Sequence, residues 1–531
     1  MYKMTESVIK VRAKTRQADQ KRGVSAWIYM AAAVVAFALA ALAFAFYSGS
    51  FGIFTPQIEV VETAAGRVIK VPPGGSIQAA IDRAASGDII ELQAGATYFG
   101  EIKLANKPLT DYVTIQSSAA ANLPADKRVG PQNASSMAKI LTRDGKAAVS
   151  AANGAHHYRF VGIEFAPSTA DYVYNLILFG NGEKAADLPH DLEIDRSYLH
   201  VFKNGTVRRG VALNSASTTI KNSYLEGFGF QGEETQGICG WTGTRNARII
   251  NNYIEGGAEN IMFGGSDPAS ADLTPTDIEI RGNHLNKPAE WRGKATMKTL
   301  FELKNAKRIQ LIGNRMTNNW VGSAFRITIR NQDGNAPFST VEDITIRDNV
   351  IQNSGDGMNI LGKDDTHPSQ TLKRLTIENN LFINIAGGNG VDGSGYFVQI
   401  ADGEEILIAN NTSLNTGNIV TFYGVMPKNL VIRDNIIGHG NYGIHGPVDL
   451  RSPLMRAVFQ NNLLLNLNDV PSGDYAFPAG NSIVAGIADV GFINPAVNDF
   501  RLASNSKYRA KGRGGSPLGS DLDPAGFQPS K

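Results

Sequence analysis

Between about residue 190 and residue 466, apolar side chains alternate with polar ones in ten short segments, and each is interrupted by a polar pair ending in Asn or Ser. The segments read LEIDRSYL, TTIKNSYL, ARIINNYI, IEIRGNHL, IQLIGNRM, ITIRDNVI, LTIENNLF, ILIANNTS, LVIRDNII and AVFQNNLL. The turn position is held by Ser197, Ser223, Asn252, Asn283, Asn314, Asn349, Asn380, Asn411, Asn435 and Asn462, in steps of 24 to 35 residues. Period-two alternation on both sides of the pair predicts two short strands joined by a bend. A unit this short cannot bury its apolar face alone, so the repeats predict a stacked solenoid. Asn suits the bend because its amide bonds to nearby backbone and its own backbone tolerates left-handed geometry. Stacked asparagines also bond to one another, so the repeated residue predicts an internal ladder and not a row of catalytic groups.

A third strand per coil follows, in RRGVALN, TQGICGW, ENIMFGG, TLFELKN, AFRITIRN, GMNILG, YFVQIA, NIVTFYG and YGIHG. Turning the apolar residues inward fixes the other face. Phe301, Leu303, Phe325, Ile327, Ile329, Ile261 and Phe263 then point in. Asn260, Met262, Glu302, Lys304, Arg326, Thr328 and Arg330 point out. Upstream, Ser76 stands where an N-cap would, Ile77, Ala80, Ile81 and Ala84 recur at helical spacing, and Gly87 closes the segment. This predicts a short helix over about 76–86 covering the open end of the solenoid.

The first 25 residues carry seven basic and two acidic residues, and Ala26 to Tyr47 is an uncharged apolar run of 22. As a helix that run spans roughly 33 Å, enough for a hydrocarbon core. The basic flank places the N-terminus in the cytoplasm and the solenoid in the periplasm or outside the cell. The rival is a cleaved signal, since Ala43-Phe44-Ala45 has small-x-small form. The expected organisation is a basic tail (1–25), a bilayer-spanning anchor (26–47), a linker (48–66), the solenoid (67–466) and a closing segment (467–531). Beyond the tail the chain holds 44 basic and 47 acidic residues, which excludes the strong positive excess of a nucleic-acid binder. A single cysteine, Cys239, excludes an intramolecular disulfide framework.

The run SIQAAIDRAASGDIIELQAGATY followed by IxIxxN coils resembles the opening of right-handed parallel β-helix proteins of the pectin-lyase-like superfamily, and INPAVNDFRLASNS…PLGSDLDP resembles their closing segment. The resemblance implies an all-β, single-stranded right-handed parallel β-helix of three sheets with an N-terminal capping helix. It also implies a sugar-binding cleft on the outer face of the third sheet. The superfamily includes lyases, hydrolases, esterases, epimerases and non-catalytic adhesins, so fold alone does not choose a chemistry.

On that face the expected catalytic residues are Lys304, Arg330 and Arg326, with Asn260, Glu302, Lys298, Asn331 and Trp320 binding substrate. Lys and Arg neutralise a uronate carboxylate, Arg bidentately, and a neutral Lys can take the adjacent proton. These residues point to a membrane-anchored polysaccharide lyase acting by β-elimination on an acidic polysaccharide. The alternative is a non-catalytic, adhesin-like spacer whose charges form cross-strand ion pairs. Glu233, Glu234 and Glu259 offer oxygen ligands for Ca²⁺, although their spacing matches no calcium loop. Gly438-His439-Gly440 and Asp364-Asp365 resemble fragments of a glycosidase site but lack its companion motif.

Overall fold

The computed structural model describes Val35 and residues 57–63, 66–386, 388, 390–447, 457–468 and 477–524. Apart from Val35, the apolar run 26–47 lies outside these residues, and no helix among the described residues is long and apolar enough to cross a membrane.

The alternating segments form strands, and each strand pairs in parallel with its counterpart in the next coil. Among the described residues one sheet has 15 strands and a second has 24. The larger contains two ladders, one on each side of a bend, fused where Arg315–Thr328 and Val350–Leu361 run unbroken through both. The coil therefore has three faces: the 15-stranded ladder before the Asn bend (first sheet), the ladder after it (second sheet), and the ladder that starts each TLFEL-like segment (third sheet). Parallel crossovers between right-twisted strands wind right-handedly. Two antiparallel pairs break the pattern, one of them Phe492–Asn494 with Asp499–Leu502 in the closing segment. Glu59–Thr63, expected to be linker, pairs antiparallel with Gly66–Val71 and closes that edge of the first sheet.

Register stacks like on like. Ile249, Ile280, Leu311, Ile346, Ile377, Ile408, Ile432 and Phe459 pair in succession along the first sheet, and all are buried in one continuous apolar column. The helix Ile77–Arg83 covers the column's N-terminal end with Ile77, Ala80 and Ile81, and Ser76 accepts the Ala79 N–H at 3.1 Å as its cap. Near the other end, Val490, Phe492, Phe500, Leu502, Tyr508 and Leu518 of the closing segment pack on Val350, Leu381, Ile383, Ile436, Leu463 and Leu465. The closing segment thus covers the outer face of the second sheet.

The expected ladder is present and complete. Asn314 is representative: its backbone N–H and its amide donate to Asn349 Oδ1 at 2.9 and 3.0 Å, and the same amide donates to Ile280 O at 3.0 Å. Equivalent bonds link Asn252, Asn283, Asn349, Asn380, Asn411 and Asn435 to the next coil. Ser223 and Ser197 continue the ladder towards the N-terminus through their hydroxyls, which accept the N–H groups of Ser197 at 3.1 Å and Ile163 at 3.2 Å. Asn481, outside the sequence template, adds a further rung by accepting from Asn462 at 2.9 Å. The other half of the polar pair has its own reason. Arg196, Asn222, Asn251, Gly282, Gly313, Asp348, Asn379, Asn410, Asp434 and Asn461 all have φ between 44° and 66°, a region where Gly, Asn and Asp are least strained.

Replacing Asn349 with Leu removes the acceptor for Asn314 and the donor to Leu311 O, both buried. Each orphaned group costs roughly 1–3 kcal/mol. Urea unfolding of Asn349→Leu is expected to show a loss of that order or more, and an unchanged midpoint would remove the ladder from the account.

Candidate functional site

The parity read from sequence holds on the third sheet from residue 300 onward. Phe301, Leu303, Phe325, Ile327 and Ile329 are fully buried in the core. Met262, Glu302, Arg326 and Asn359 pair in register across four coils on the outer face. Lys304 and Arg330 belong to neighbouring coils joined directly, the Arg330 N–H donating to Lys304 O at 2.9 Å. Lys304, Arg326 and Arg330 are half-buried. Among the described residues no carboxylate lies within ion-pair distance of Lys304 or Arg326. Arg330 is held by Asp364 at 3.3 Å and Asp365 at 2.5 Å.

Beneath these cations lies a buried charge cluster. Lys298 Nζ stands 3.0 Å from Glu259, 2.9 Å from Glu302 and 3.9 Å from Glu234, while Gln236 donates to Glu259 at 2.9 Å. Burial opposes ionisation of Glu259, but Lys298, a hydrogen bond with Glu302 and the Gln236 amide outweigh it and hold this carboxyl below its usual range. Glu302 is pushed up by burial and by the adjacent Glu259 charge. The two carboxyls are thus shifted in opposite directions, with Lys298 as their shared cation. Burial also works on Lys298, yet Glu259 and Glu302 more than offset it and raise the ammonium above its ordinary value.

This arrangement does not fit Ca²⁺. The oxygens of Glu234, Glu259 and Glu302 converge on an ammonium, which would repel a divalent ion brought to the same oxygens. Glu233 turns instead to Arg208 at 3.4 Å.

Several expected substrate-binding residues take other roles. Asn260 was placed outward by strict alternation, but its amide donates to Ile254 O and Asn286 O, both at 2.8 Å, and it is fully buried. The alternation breaks just after Gly256-Gly257: Glu259 has the parity of inward Ile261 yet directs its carboxylate to the outer cluster. Glu302 points outward but is only 1 % exposed, so it supports the site from below and does not face solvent. Lys298 is occupied by carboxylates. Asn331 is buried, accepting from Ala336 N at 2.7 Å and donating to Pro368 O at 2.8 Å, and so shapes the 331–343 loop. Trp320 is 7 % exposed. Its indole N–H reaches Lys287 O and Pro288 O, and the Arg292 guanidinium lies 4.2 Å from its ring centre, so its face is already covered.

The loops beside the site are pinned. Lys287, fully buried, donates to the carbonyls of Gly256, Gly257 and Ala258, which anchors the start of the 286–297 loop. Asp267 accepts the backbone N–H groups of Gln332, Asp333 and Asn335 at 2.6, 2.9 and 2.9 Å.

The structure adds residues that the sequence reading missed. Asp356 pairs with Ser323 one coil before it, and Ser323 Oγ lies 2.9 Å from Tyr396 Oη. Burial pushes the Asp356 carboxyl up to about 6, against the pull of the N–H groups of Ser394, Gly395 and Tyr396 and of Arg326. The signal was available: Asp356 stands directly before the GMNILG strand, one position outside its apolar alternation.

No family model and no curated protein matches this chain. Solved structures do. A PL6 family alginate lyase, AlyGC, superposes with a TM-score of 0.55 at 16 % identity, over 86 % of this chain and 59 % of that one. The fold is the parallel β-helix of the pectin-lyase-like type. The chain spans only those 59 % of the lyase's length. A mannuronic-acid-specific family 6 lyase from human gut microbiota gives 0.41 at 12 % identity, covering 78 % of this chain and 90 % of that one. Pectate lyase Pel9A gives 0.36 at 13 % identity, covering 86 % and 96 %.

Two stability measurements check this electrostatic reading. Lys298→Met leaves Glu259 and Glu302 buried without their cation and is expected to cost about 3–5 kcal/mol in urea unfolding; adding Glu259→Gln and Glu302→Gln should restore part of that loss. A single variant as stable as the parent would contradict the cluster. Asp356 has a folded pKa of about 6, above its ordinary 3.8, so the native state holds a proton that the unfolded chain releases. Its contribution is present below the lower value and lost as pH rises through the higher one. Asp356→Asn should therefore remove part of the decline in stability between those two pH values, and identical pH profiles for variant and parent would contradict the raised pKa.

Proposed function

We propose that the outer face of the third sheet binds an acidic, uronate-containing polysaccharide and cleaves it by β-elimination. The observation that carries this reading is a pair of half-buried cations, Lys304 and Arg326, on adjacent coils above a buried carboxyl cluster and without ion-pair partners among the described residues. A self-contained solvated face neutralises its charges internally, as the first sheet does with Lys307–Glu342 at 3.2 Å and Arg374–Asp343 at 2.6 Å. A face that leaves two cations unmatched is suited to an anion from outside. The fold shared with an alginate lyase supports the reading without deciding it.

In this scheme Arg326, with Arg330, neutralises the uronate carboxylate and so acidifies the proton on the adjacent carbon. Lys304 Nζ takes that proton. The electron pair forms the carbon–carbon double bond as the bond to the glycosidic oxygen breaks, and the Lys304 ammonium so formed returns that proton to the departing oxygen. Asp364 and Asp365 fix the Arg330 guanidinium, so its role is orientation as much as charge.

Incubating the purified protein with uronate polymers tests the proposal through the absorbance of unsaturated products. Lys304→Ala should lower turnover by roughly 10²–10⁴-fold, the range for loss of a general base, and Arg326→Ala should weaken both binding and turnover, with folding unchanged because neither charge is paired. Wild-type activity in both variants would refute the assignment. Polymer binding without any product would limit the face to recognition.

We also propose that residues 26–47 anchor the chain in a bilayer with the basic tail in the cytoplasm. The support is the uncharged apolar run behind a basic flank. Membrane fractionation should find the full-length chain in the pellet, and a soluble chain beginning near residue 46 would establish a cleaved signal instead.

A further inference from the structure

One residue at or just before the start of each first-sheet strand sits in the left-handed region through ten successive coils: His157, Asp191, Ser217, Asn246, Asp277, Arg308, Asp343, Arg374, Glu405 and Asn429, with φ between 49° and 59°. This repeated kink brings consecutive side chains to the outer rim of the sheet in two columns. Along most of their length the columns are filled with alternating charge. Arg308 reaches Asp277 at 2.6 Å, Arg374 reaches Asp343 at 2.6 Å, Lys307 reaches Glu342 at 3.2 Å and Lys428 reaches Glu404 at 3.0 Å. Asp277, Glu342, Asp343 and Glu404 each have a Lys or Arg partner, and among the described residues Glu405 has none.

At the N-terminal end the same geometry holds a different set. His156 and His190 pair in register, and their rings stack at 4.7 Å with an interplanar angle of 6°. His156 Nδ1 lies 2.7 Å from His157 Nδ1, and His190 Nδ1 lies 2.6 Å from Asp191 Oδ2. One ring nitrogen each from His157 and His190 and one Asp191 oxygen lie within 4.8 Å of one another. Three of the chain's eight histidines meet here. Unlike Asp277, Glu342, Asp343 and Glu404, Asp191 has no Lys or Arg within ion-pair distance among the described residues; its ion-pair-distance neighbour is His190.

We propose that His157, His190 and Asp191 bind one late first-row divalent metal ion, of the Zn²⁺ class, across two adjacent coils. Two imidazole nitrogens and a carboxylate oxygen suit Zn²⁺, Ni²⁺ or Cu²⁺ and not Ca²⁺ or Mg²⁺, which take all-oxygen sets. The tautomers agree. With His190 protonated at Nε2, its Nδ1 lone pair and Asp191 Oδ2 lie 2.6 Å apart as adjacent donor atoms that one ion can bridge. The 2.7 Å contact between His156 and His157 requires one ring to donate and the other to accept; with His157 the donor, its Nε2 is free. The His190 and Asp191 side chains are 41 % and 37 % exposed, so the ion keeps an open side for water, and it supplies the positive charge that Arg or Lys supplies in the other coils. The site lies on the first sheet, away from the cations of the third, and does not depend on the polysaccharide reading.

Isothermal titration of the tag-free, full-length chain with ZnCl₂ tests the proposal. The expected result is one saturable site per chain that excess CaCl₂ does not displace, with affinity reduced about tenfold or more in His157→Ala, His190→Ala and Asp191→Asn while their melting midpoints stay near that of the parent. No saturable uptake by the parent, or equal affinity in the three variants, would overturn it. Should a variant unfold, zinc-edge X-ray absorption on the loaded parent decides instead: two imidazoles in the first coordination sphere are expected, and one or none would overturn the assignment.

Discussion

From the coil of Asn252 to that of Asn481, each coil is held to the next by the same small unit, an Asn side chain whose oxygen accepts two N–H donors from the previous coil and whose amide donates back across the bend. Buried bends expose backbone groups that neither the sheets nor water can satisfy, and a solenoid repeats that problem at every turn. The stacked amides solve it once per coil with one residue type. They also fix the rise and the register, because a slip of one residue would orphan an entire column of donors and reverse the burial of each strand.

The outer face inherits this precision. Fixed register sets Glu302 beside Arg326 and joins Lys304 to Arg330, although some 24 to 26 residues separate the members of each pair. Lys298 then works as an internal counter-ion: it keeps Glu259 and Glu302 quiet beneath the surface and leaves Lys304 and Arg326 as the unmatched charges above. On the first sheet the same regularity makes columns of alternating charge, and it is the change of residue type within an unchanged geometry that singles out the histidine cluster.

Much of this was legible before any coordinates. The ladder positions, the capping helix and the inward residues of the third sheet follow from period-two alternation and from what Asn and Ser side chains do at a bend. What could not be read were departures from strict alternation. At the start of its strand Asn260 turns to the carbonyls of Ile254 and Asn286, and Glu259 to Lys298, contacts that alternation does not show. Trp320 looked exposed because nothing in its own strand shows that Lys287, Pro288 and Arg292 cover it from another loop. Asp356 fell just outside the apolar run that defined its strand's limit. The His157–His190–Asp191 cluster was invisible because it joins two segments more than 30 residues apart at a left-handed kink that has no hydrophobic signature.

The central claim is that the ladder-fixed face presents Lys304 and Arg326 as unmatched cations for an acidic sugar. Its most direct test is a crystal structure of the protein with a short uronate oligosaccharide bound. The account predicts a sugar carboxylate within hydrogen-bond distance of the Arg326 guanidinium, with Lys304 Nζ close to the carbon bearing the acidic proton and the Glu259–Lys298–Glu302 cluster unchanged below. A sugar seated elsewhere on the solenoid, or Arg326 engaged by Asp356 in the complex, would contradict it.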